Sequence, residues 1–255
     1  MASSSSCSTV CASMAKIIKQ NNDGIRRLET QDYSKAAALL SSSVSDLKLL
    51  LAECDAEASA DAAVSRPCYE LVFSFVLESA TAIAGGGSDN DNNSVVDSTD
   101  GFIFEAPIKV SRVRRDGTAE EEDSITEMLK RLSFSVVYNL AVSFHMSAIR
   151  SASLTNKKLS QRLRKALAFY KMALDLARQY DIAVGSMEAL AIANNQAHIH
   201  RLLNETQDAE RCRALMLSNI MYASEHGNPT KDIVHFEKFV ASATDGTSNT
   251  TAKAA

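Results

Sequence analysis

The stretch Leu163–Tyr180 constrains the fold of this chain more than any other part of the sequence. Its apolar and small residues recur at steps of three and four, namely Leu163, Ala166, Leu167, Tyr170, Ala173, Leu174 and Ala177. That spacing predicts a helix with one buried face, and the charged residues of the stretch fall on the opposite, wet face. Because alanines alternate with larger side chains on the buried face, another helix can come close to it. We therefore expect this helix to pack against at least one neighbour.

A complementary pattern precedes this stretch in residues 136–144. Apolar residues at Val137, Leu140 and Phe144 accompany a small residue, Ala141. This arrangement resembles the first helix of a tetratricopeptide (TPR) repeat, with Ala141 at the glycine position of the family. In the following helix, Ala166 and Tyr170 resemble the alanine and the aromatic residue of the second TPR helix.

Two further copies have the family's own spacing between the glycine position and the second-helix alanine. Gly24 and Ala36 are twelve residues apart, as are Ala197 and Ala209. The corresponding distance in the middle copy is twenty-five residues, and so that copy resembles an expanded repeat. Three copies in order resemble a TPR protein. The resemblance implies an all-α fold, an α-α superhelix in which antiparallel helix pairs form a TPR-like solenoid.

The composition divides the chain into one folded region and several less ordered stretches. We expect a single TPR-like helical domain over residues 13–242, after a disordered Ser-rich leader at 1–12 and before a disordered tail at 243–255. Within the domain, the low-complexity residues 85–101 predict a flexible loop. Residues 102–123 predict a short extended segment followed by a charged loop.

Two prolines shape the expectations for the middle of the chain. Pro67 suits the first turn of a helix, and the apolar run after it predicts a helix over Cys68–Ala84. Pro107 excludes a central position in a sheet for the extended segment. We therefore expect that segment to lie along the helices and to bury Phe102, Phe104 or Ile108.

Charge and cysteine usage narrow the function classes. A net charge of −4 gives no overall attraction to nucleic acid or to anionic membranes, and we expect neither as a partner. Five scattered cysteines without a CxxC pair, and no recognisable signal peptide, indicate reduced thiols. The predicted location is the cytoplasm, with the nucleus as the alternative.

The sequence contains no recognisable catalytic or cofactor motif. It has no Gly-rich phosphate loop, no GxSxG elbow and no HExxH pair. We therefore expect a protein that is not an enzyme and that binds no cofactor or metal. The alternative that stays open is a helical enzyme, or a protein that binds a small ligand or metal, using His145, His198 and His200.

The TPR resemblance implies a more specific site. In that family the first helices of successive repeats line a concave groove that holds a partner peptide or helix. The residues at groove positions here are Tyr138, Asn139, His145, Asn194, Asn195, His198 and Arg201. Asn139 and Asn195 each lie two residues before the small residue of their repeat. An asparagine amide both donates and accepts, so either it holds a peptide backbone or it bonds a neighbouring helix.

Two narrower binding hypotheses receive less support. Some TPR proteins grip the acidic C-terminus of heat-shock chaperones with a set of lysines, asparagines and arginines, but only Asn139 matches that set here. A chaperone C-terminus is therefore disfavoured as the partner. The basic stretch Lys157–Lys165 is typical of a solvated helix face, and the alternative is a site for an anionic partner segment.

Overall fold

The computed structural model of the chain describes residues 3–58, 69–76, 103–114, 125–151, 155–180, 186–225 and 233–244. Helix accounts for 83% of these residues, in seven helices, which confirms the all-α class. In chain order the elements are α1 (Ser3–Glu29), α2 (Tyr33–Ala58), β1 (Tyr69–Phe75), β2 (Ile108–Arg114), α3 (Ile125–Arg150), α4 (Asn156–Gln179), α5 (Ser186–Leu202), α6 (Thr206–Glu225) and α7 (Ile233–Thr244).

The chain divides into two compact units, where we expected one domain over residues 13–242. Unit 1 comprises residues 1–79 and 106–182, and unit 2 comprises residues 80–105 and 183–255. Unit 1 therefore contains α1 to α4 and both strands, and unit 2 contains α5 to α7. Each unit is described separately below.

In unit 1, consecutive helices pack against one another: α1 against α2, α2 against α3, and α3 against α4. The pair α1–α2 comes close at Gly24, where an added Cβ would lie only 2.9 Å from the Cγ of Leu40. The connection between the two helices is short, with Gln31 in the left-handed region at φ 59°. Asp32 then accepts a hydrogen bond from the backbone N–H of Lys35, as expected of a cap for α2.

Helix α3 forms the centre of unit 1. Every residue from Leu132 to Ser143 is buried, because α3 has α2, α4 and both strands as neighbours. It is the one described helix that is long and apolar enough to cross a membrane, but 83% of its most apolar 18-residue stretch is buried inside the structure. That is the position of a core helix.

The predicted helix at residues 163–180 is confirmed as the body of α4. Leu163, Ala166, Tyr170, Ala173 and Ala177 are buried, and the charged residues between them are exposed. The aromatic rings of the two helices meet in the core, with the centroids of Tyr138 and Tyr170 6.0 Å apart. The close packing of α3 with α4 that the alanines predict is therefore present.

A two-stranded antiparallel sheet completes unit 1. Phe73 lies opposite Val110, and Phe75 lies opposite Ile108. The helix predicted over Cys68–Ala84 is wrong for the residues of β1. Their side chains alternate, with Leu71 buried between the exposed Glu70 and Val72, and this period of two fits a strand covering the helices.

The ends of the folded region also differ from expectation. Helix α1 begins at Ser3, within the leader that we expected to be disordered, because Val10 and Met14 lie one turn apart and both enter the core of unit 1. Helix α7 extends to Thr244. The predicted loop at 85–101 and the rest of the tail lie outside the described residues.

In unit 2, α5 packs against α6, and α7 packs against both. The turn between α5 and α6 has Asn204 in the left-handed region at φ 59°. The buried side chains include Leu190 and Ile192 of α5, Met216 of α6 and Phe239 of α7. Unit 2 is thus a helix pair with one additional helix against it.

Candidate functional site

The extended segment, residues 103–110, contacts polar side chains within each unit, since residues 103–105 belong to unit 2 and residues 106–110 to unit 1. Residues 103–107 have no regular secondary structure, and β2 begins at Ile108. Five side chains are buried, those of Phe104, Ala106, Pro107, Ile108 and Val110. Between them, Lys109 is exposed. The expectation that this segment buries Phe104 or Ile108 is confirmed, and Phe102 lies outside the described residues.

In unit 1, Asn139 of α3 binds the backbone of Ile108 with both ends of its amide. Its Oδ1 accepts from the N–H of Ile108 at 2.7 Å, and its Nδ2 donates to the carbonyl oxygen of Ile108 at 2.8 Å. Nδ2 also donates to Oδ1 of Asn21 at 2.9 Å, and Asn21 in turn donates to the same carbonyl at 3.3 Å. Since Asn21 and Asn139 are fully buried, these bonds replace water completely.

A second asparagine of unit 1 repeats this arrangement two residues further along the segment. Asn22 of α1 donates to the carbonyl oxygen of Val110 at 2.8 Å and accepts from the N–H of Val110 at 3.2 Å. Between these positions and the start of the segment, the hydroxyl of Tyr138 donates to the carbonyl oxygen of Ala106 at 3.3 Å. Helices α1 and α3 therefore both hold the backbone of the segment.

Unit 2 contains a third copy of the same contact. Asn195 of α5 accepts from the N–H of Phe104 at 2.9 Å and donates to its carbonyl oxygen at 2.8 Å. The ring of Phe104 is buried against Phe239 of α7, with centroids 5.3 Å apart. A neutral amide and an aromatic ring thus hold the backbone and the side chain of one residue.

The three asparagines occupy equivalent sequence positions. Asn22 lies two residues before Gly24, Asn139 two before Ala141 and Asn195 two before Ala197. Sequence reasoning found the second and third of these and missed Asn22. The signal that identifies it is the same two-residue offset from a small residue, Gly24.

Within unit 1, the asparagines take the place of a neighbouring strand. In an antiparallel ladder, alternate residues of a strand direct their N–H and C=O groups to opposite edges. The carbonyl of Pro107 accepts from the N–H of Val76 at 2.9 Å, next to β1, whereas Ile108 and Val110 bond the asparagines. One edge of the segment therefore meets β1 and the other meets side-chain amides.

The side chains described above form hydrogen bonds with the chain's own backbone. Their contacts to the segment come from neutral amides and a phenol hydroxyl, and they bind the N–H and C=O groups that every non-proline residue carries. Such bonds fix an extended conformation without selecting side chains. The identity of the side chains matters only where they enter the core, as Phe104 does.

The remaining predicted groove residues are also buried, where we expected an open surface. His145 of α3 lies edge-on to Tyr170, with 3.5 Å between its Nδ1 and the tyrosine hydroxyl. Asn194 accepts from the hydroxyl of Ser242 at 2.9 Å. His198 is only 3% exposed, while Arg201 is half-buried. Tyr170 of α4 thus contacts His145 within unit 1, and Ser242 of α7 contacts Asn194 within unit 2.

Burial changes the acid–base behaviour of two groups in unit 2. The pKa of His198 falls from 6.5 to about 4, mainly because burial disfavours the charged ring and secondly because Arg201 is close. The pKa of the Cys212 thiol rises from 9.0 to about 11, mainly through burial and secondly through Asp208. Neither group is poised to exchange protons near pH 7.

The three histidines of the alternative function are divided between the two units. His145 belongs to unit 1, whereas His198 and His200 belong to unit 2. Among the described residues, the one His-containing group with metal-like spacing is His200, Glu205 and Asp208, whose ligand atoms lie within 4.8 Å of one another. Glu205 already bonds His200 at 2.8 Å, and Asp208 pairs with Arg211 at 2.9 Å.

The basic stretch Lys157–Lys165 has two kinds of residue. Lys157, Lys158, Arg164 and Lys165 are exposed on α4, as expected of a solvated face. Arg162 is half-buried and donates to the hydroxyl of Ser147 at 2.7 Å, so it ties α4 to α3.

Comparison of the chain with family models, with curated proteins and with solved structures gave no match. The TPR resemblance therefore stays a prediction from the sequence.

Proposed function

We propose that this chain is a non-enzymatic protein-interaction module, a TPR-like solenoid whose first helices bind an extended polypeptide segment. The observation that carries the proposal is the threefold recurrence of one contact. Asn22, Asn139 and Asn195 each hold the N–H and the C=O of a single residue with one amide. The recurrence at one offset in three helix pairs is what repeats with a shared binding role would produce.

Energetics support a recognition role for these asparagines. A buried amide costs free energy unless both of its ends are bonded, so an asparagine at these positions needs a donor and an acceptor against it. A neighbour that is not an extended backbone with available N–H and C=O groups leaves these amides without hydrogen-bond partners and is therefore disfavoured. This is a selective requirement for polypeptide, and it gives a reason to keep amides inside the protein.

The proposed partner class is a protein that offers an extended segment. The net negative charge and the neutral site favour neither nucleic acid nor a membrane surface as partner. A chaperone C-terminus remains disfavoured, because the contacts of the asparagines to the segment are with backbone groups and not with a carboxylate. The described cysteines Cys11, Cys54 and Cys212 form no disulfide, which suits the cytoplasm or the nucleus.

The test is affinity capture from native lysate with the full chain, compared between wild type and Asn195→Ala. The matched control is Asn156→Ala, the same substitution at an exposed residue of α4. We expect the wild type and the control to capture the same proteins and Asn195→Ala to lose them while its helical circular dichroism spectrum is retained. Equal capture by a folded Asn195→Ala protein would contradict the proposal.

A further inference from the structure

We infer that Phe104 is an internal ligand of unit 2, and that a partner binds this site by inserting an aromatic residue of its own extended segment in place of Phe104. The inference rests on the proposed function and adds to it the kind of segment that is recognised. It also makes the isolated chain a closed form, in which its own segment occupies the site.

The site around Phe104 is organised before any partner arrives. Asn195 provides a donor and an acceptor for one residue, at 2.8 and 2.9 Å. Asn194 donates to Oδ1 of Asn195 at 3.4 Å, and Ser242 donates to Asn194 at 2.9 Å. This relay fixes the orientation of the Asn195 amide, and Phe239 adds an aromatic wall 5.3 Å from the ring of Phe104.

The contacts of Phe104 are of a kind that another chain can reproduce. The two bonds of Asn195 go to backbone groups, which any extended segment offers. The contact with Phe239 requires a ring or a similarly large apolar side chain, since aromatic pairs prefer tilted or edge-on contacts at such distances. A segment with an aromatic residue flanked by extended backbone therefore reproduces the two bonds with Asn195 and the ring contact with Phe239.

The start of the segment lies before the pairing of the two strands. Pairing with β1 extends over Ile108–Arg114, and the backbone bond of Pro107 to Val76 lies next to it. Val110 is in addition a member of the core cluster of unit 1. Phe104 precedes all of these contacts, so it can leave its site without breaking the ladder between β1 and β2.

The experiment is a titration of the full chain with a fluorescein-labelled peptide of the sequence IFEAPI, read by fluorescence anisotropy. In wild type the tethered Phe104 competes with the peptide. Phe104→Ala removes this competitor and should bind the peptide tighter by about tenfold or more. Phe169→Ala, the same change at a residue of α4 in unit 1, should bind as the wild type does.

Two modified peptides identify the contacts. A peptide methylated on the phenylalanine nitrogen cannot donate to Asn195, and a peptide with alanine in place of phenylalanine cannot contact Phe239. Neither modified peptide should bind the Phe104→Ala protein more tightly than it binds the wild-type protein. If either retains the full gain in affinity, the site is not the one inferred.

A second variant covers the case in which Phe104→Ala does not fold. Phe104→Leu keeps an apolar side chain but loses the aromatic contact, and we expect it to bind the peptide about threefold tighter than wild type by the same competition argument. A folded Phe104 variant with wild-type affinity for the peptide would overturn the inference.

The outcomes separate this inference from the proposed function. If partner capture depends on Asn195 but no folded Phe104 variant gains peptide affinity, the inference is wrong and the module still binds partners. If neither capture nor peptide binding depends on Asn195 in any folded variant, both are wrong.

Discussion

Replacement of Asn139 by alanine should destabilise the protein far more than a surface substitution. The side chain makes three hydrogen bonds, two with Ile108 and one with Asn21, and both asparagines are fully buried. The carbonyl of Ile108 keeps a second donor in Asn21. Asn139→Ala therefore leaves two buried groups without their partner, the N–H of Ile108 and Oδ1 of Asn21.

The magnitude follows from these two groups. A buried polar group without a partner costs about 1–3 kcal/mol, so the loss is about 2–6 kcal/mol in total. Water that enters the space left by the amide moves the result towards the lower end. Since whole domains are stable by only about 5–15 kcal/mol, the change consumes a large share of the free energy of unfolding.

The measurement is urea unfolding followed by circular dichroism at pH 7.5. Asn139→Ala should lower the transition midpoint strongly, while Asn156→Ala, at the exposed start of α4, should change the free energy of unfolding by less than about 0.5 kcal/mol. If the two variants unfold at the same urea concentration, Asn139 does not hold the segment in solution.

Three further predictions follow from burial. Tyr170→Ala should cost about 3 kcal/mol through the cavity that it leaves, whereas the exposed Lys171→Ala should cost less than about 0.5 kcal/mol in the same urea assay; equal costs would mean that α4 is rotated. Because the pKa of His198 is lower in the folded than in the unfolded state, the unfolded chain takes up a proton first as the pH falls. Between pH 7.5 and 4.5 the free energy of unfolding of the wild type should therefore fall by about 2.5 kcal/mol more than that of His198→Gln. If the free energy of unfolding of both proteins depends on pH in the same way, the ring is not buried. Because its pKa is raised, Cys212 should carry roughly a hundredfold less thiolate than an ordinary thiol. A variant with Cys212 as its single cysteine should therefore react slowly with a disulfide reagent at pH 8 when folded, and rapidly when unfolded in urea. Equal reaction rates in the two states would refute the raised pKa.

Local periodicity predicts the helices well, because each helix carries its own pattern. The stripe in residues 163–180 predicts the buried face of α4, and the small residues Gly24 and Ala141 predict where α1 and α3 lie close to their neighbours. The same logic fails for Tyr69–Phe75. Its partner strand lies more than thirty residues away, and a strand is stabilised by that distant pairing rather than by its own sequence.

The sequence predicts two of the asparagines of the candidate site, but it does not predict which segment they bind. Asn139 and Asn195 are identifiable as backbone-binding residues from their offset to Ala141 and Ala197, and the structure places a backbone on each of them. The sequence does not predict that this backbone belongs to the chain itself. Residues 103–110 show only partial alternation, and nothing local links Ile108 to an asparagine thirty-one residues later.

Amide hydrogen exchange of the extended segment, measured by NMR, tests the central claim most directly. The N–H groups of Phe104, Ile108 and Val110 should exchange slowly, because each donates to an asparagine amide, buried at Asn195 and Asn139 and half-buried at Asn22. Asn195→Ala should accelerate exchange at Phe104 while Ile108 stays protected. Exchange of all three amides in the wild type at the rate of an unstructured peptide would contradict the claim that asparagines hold this segment.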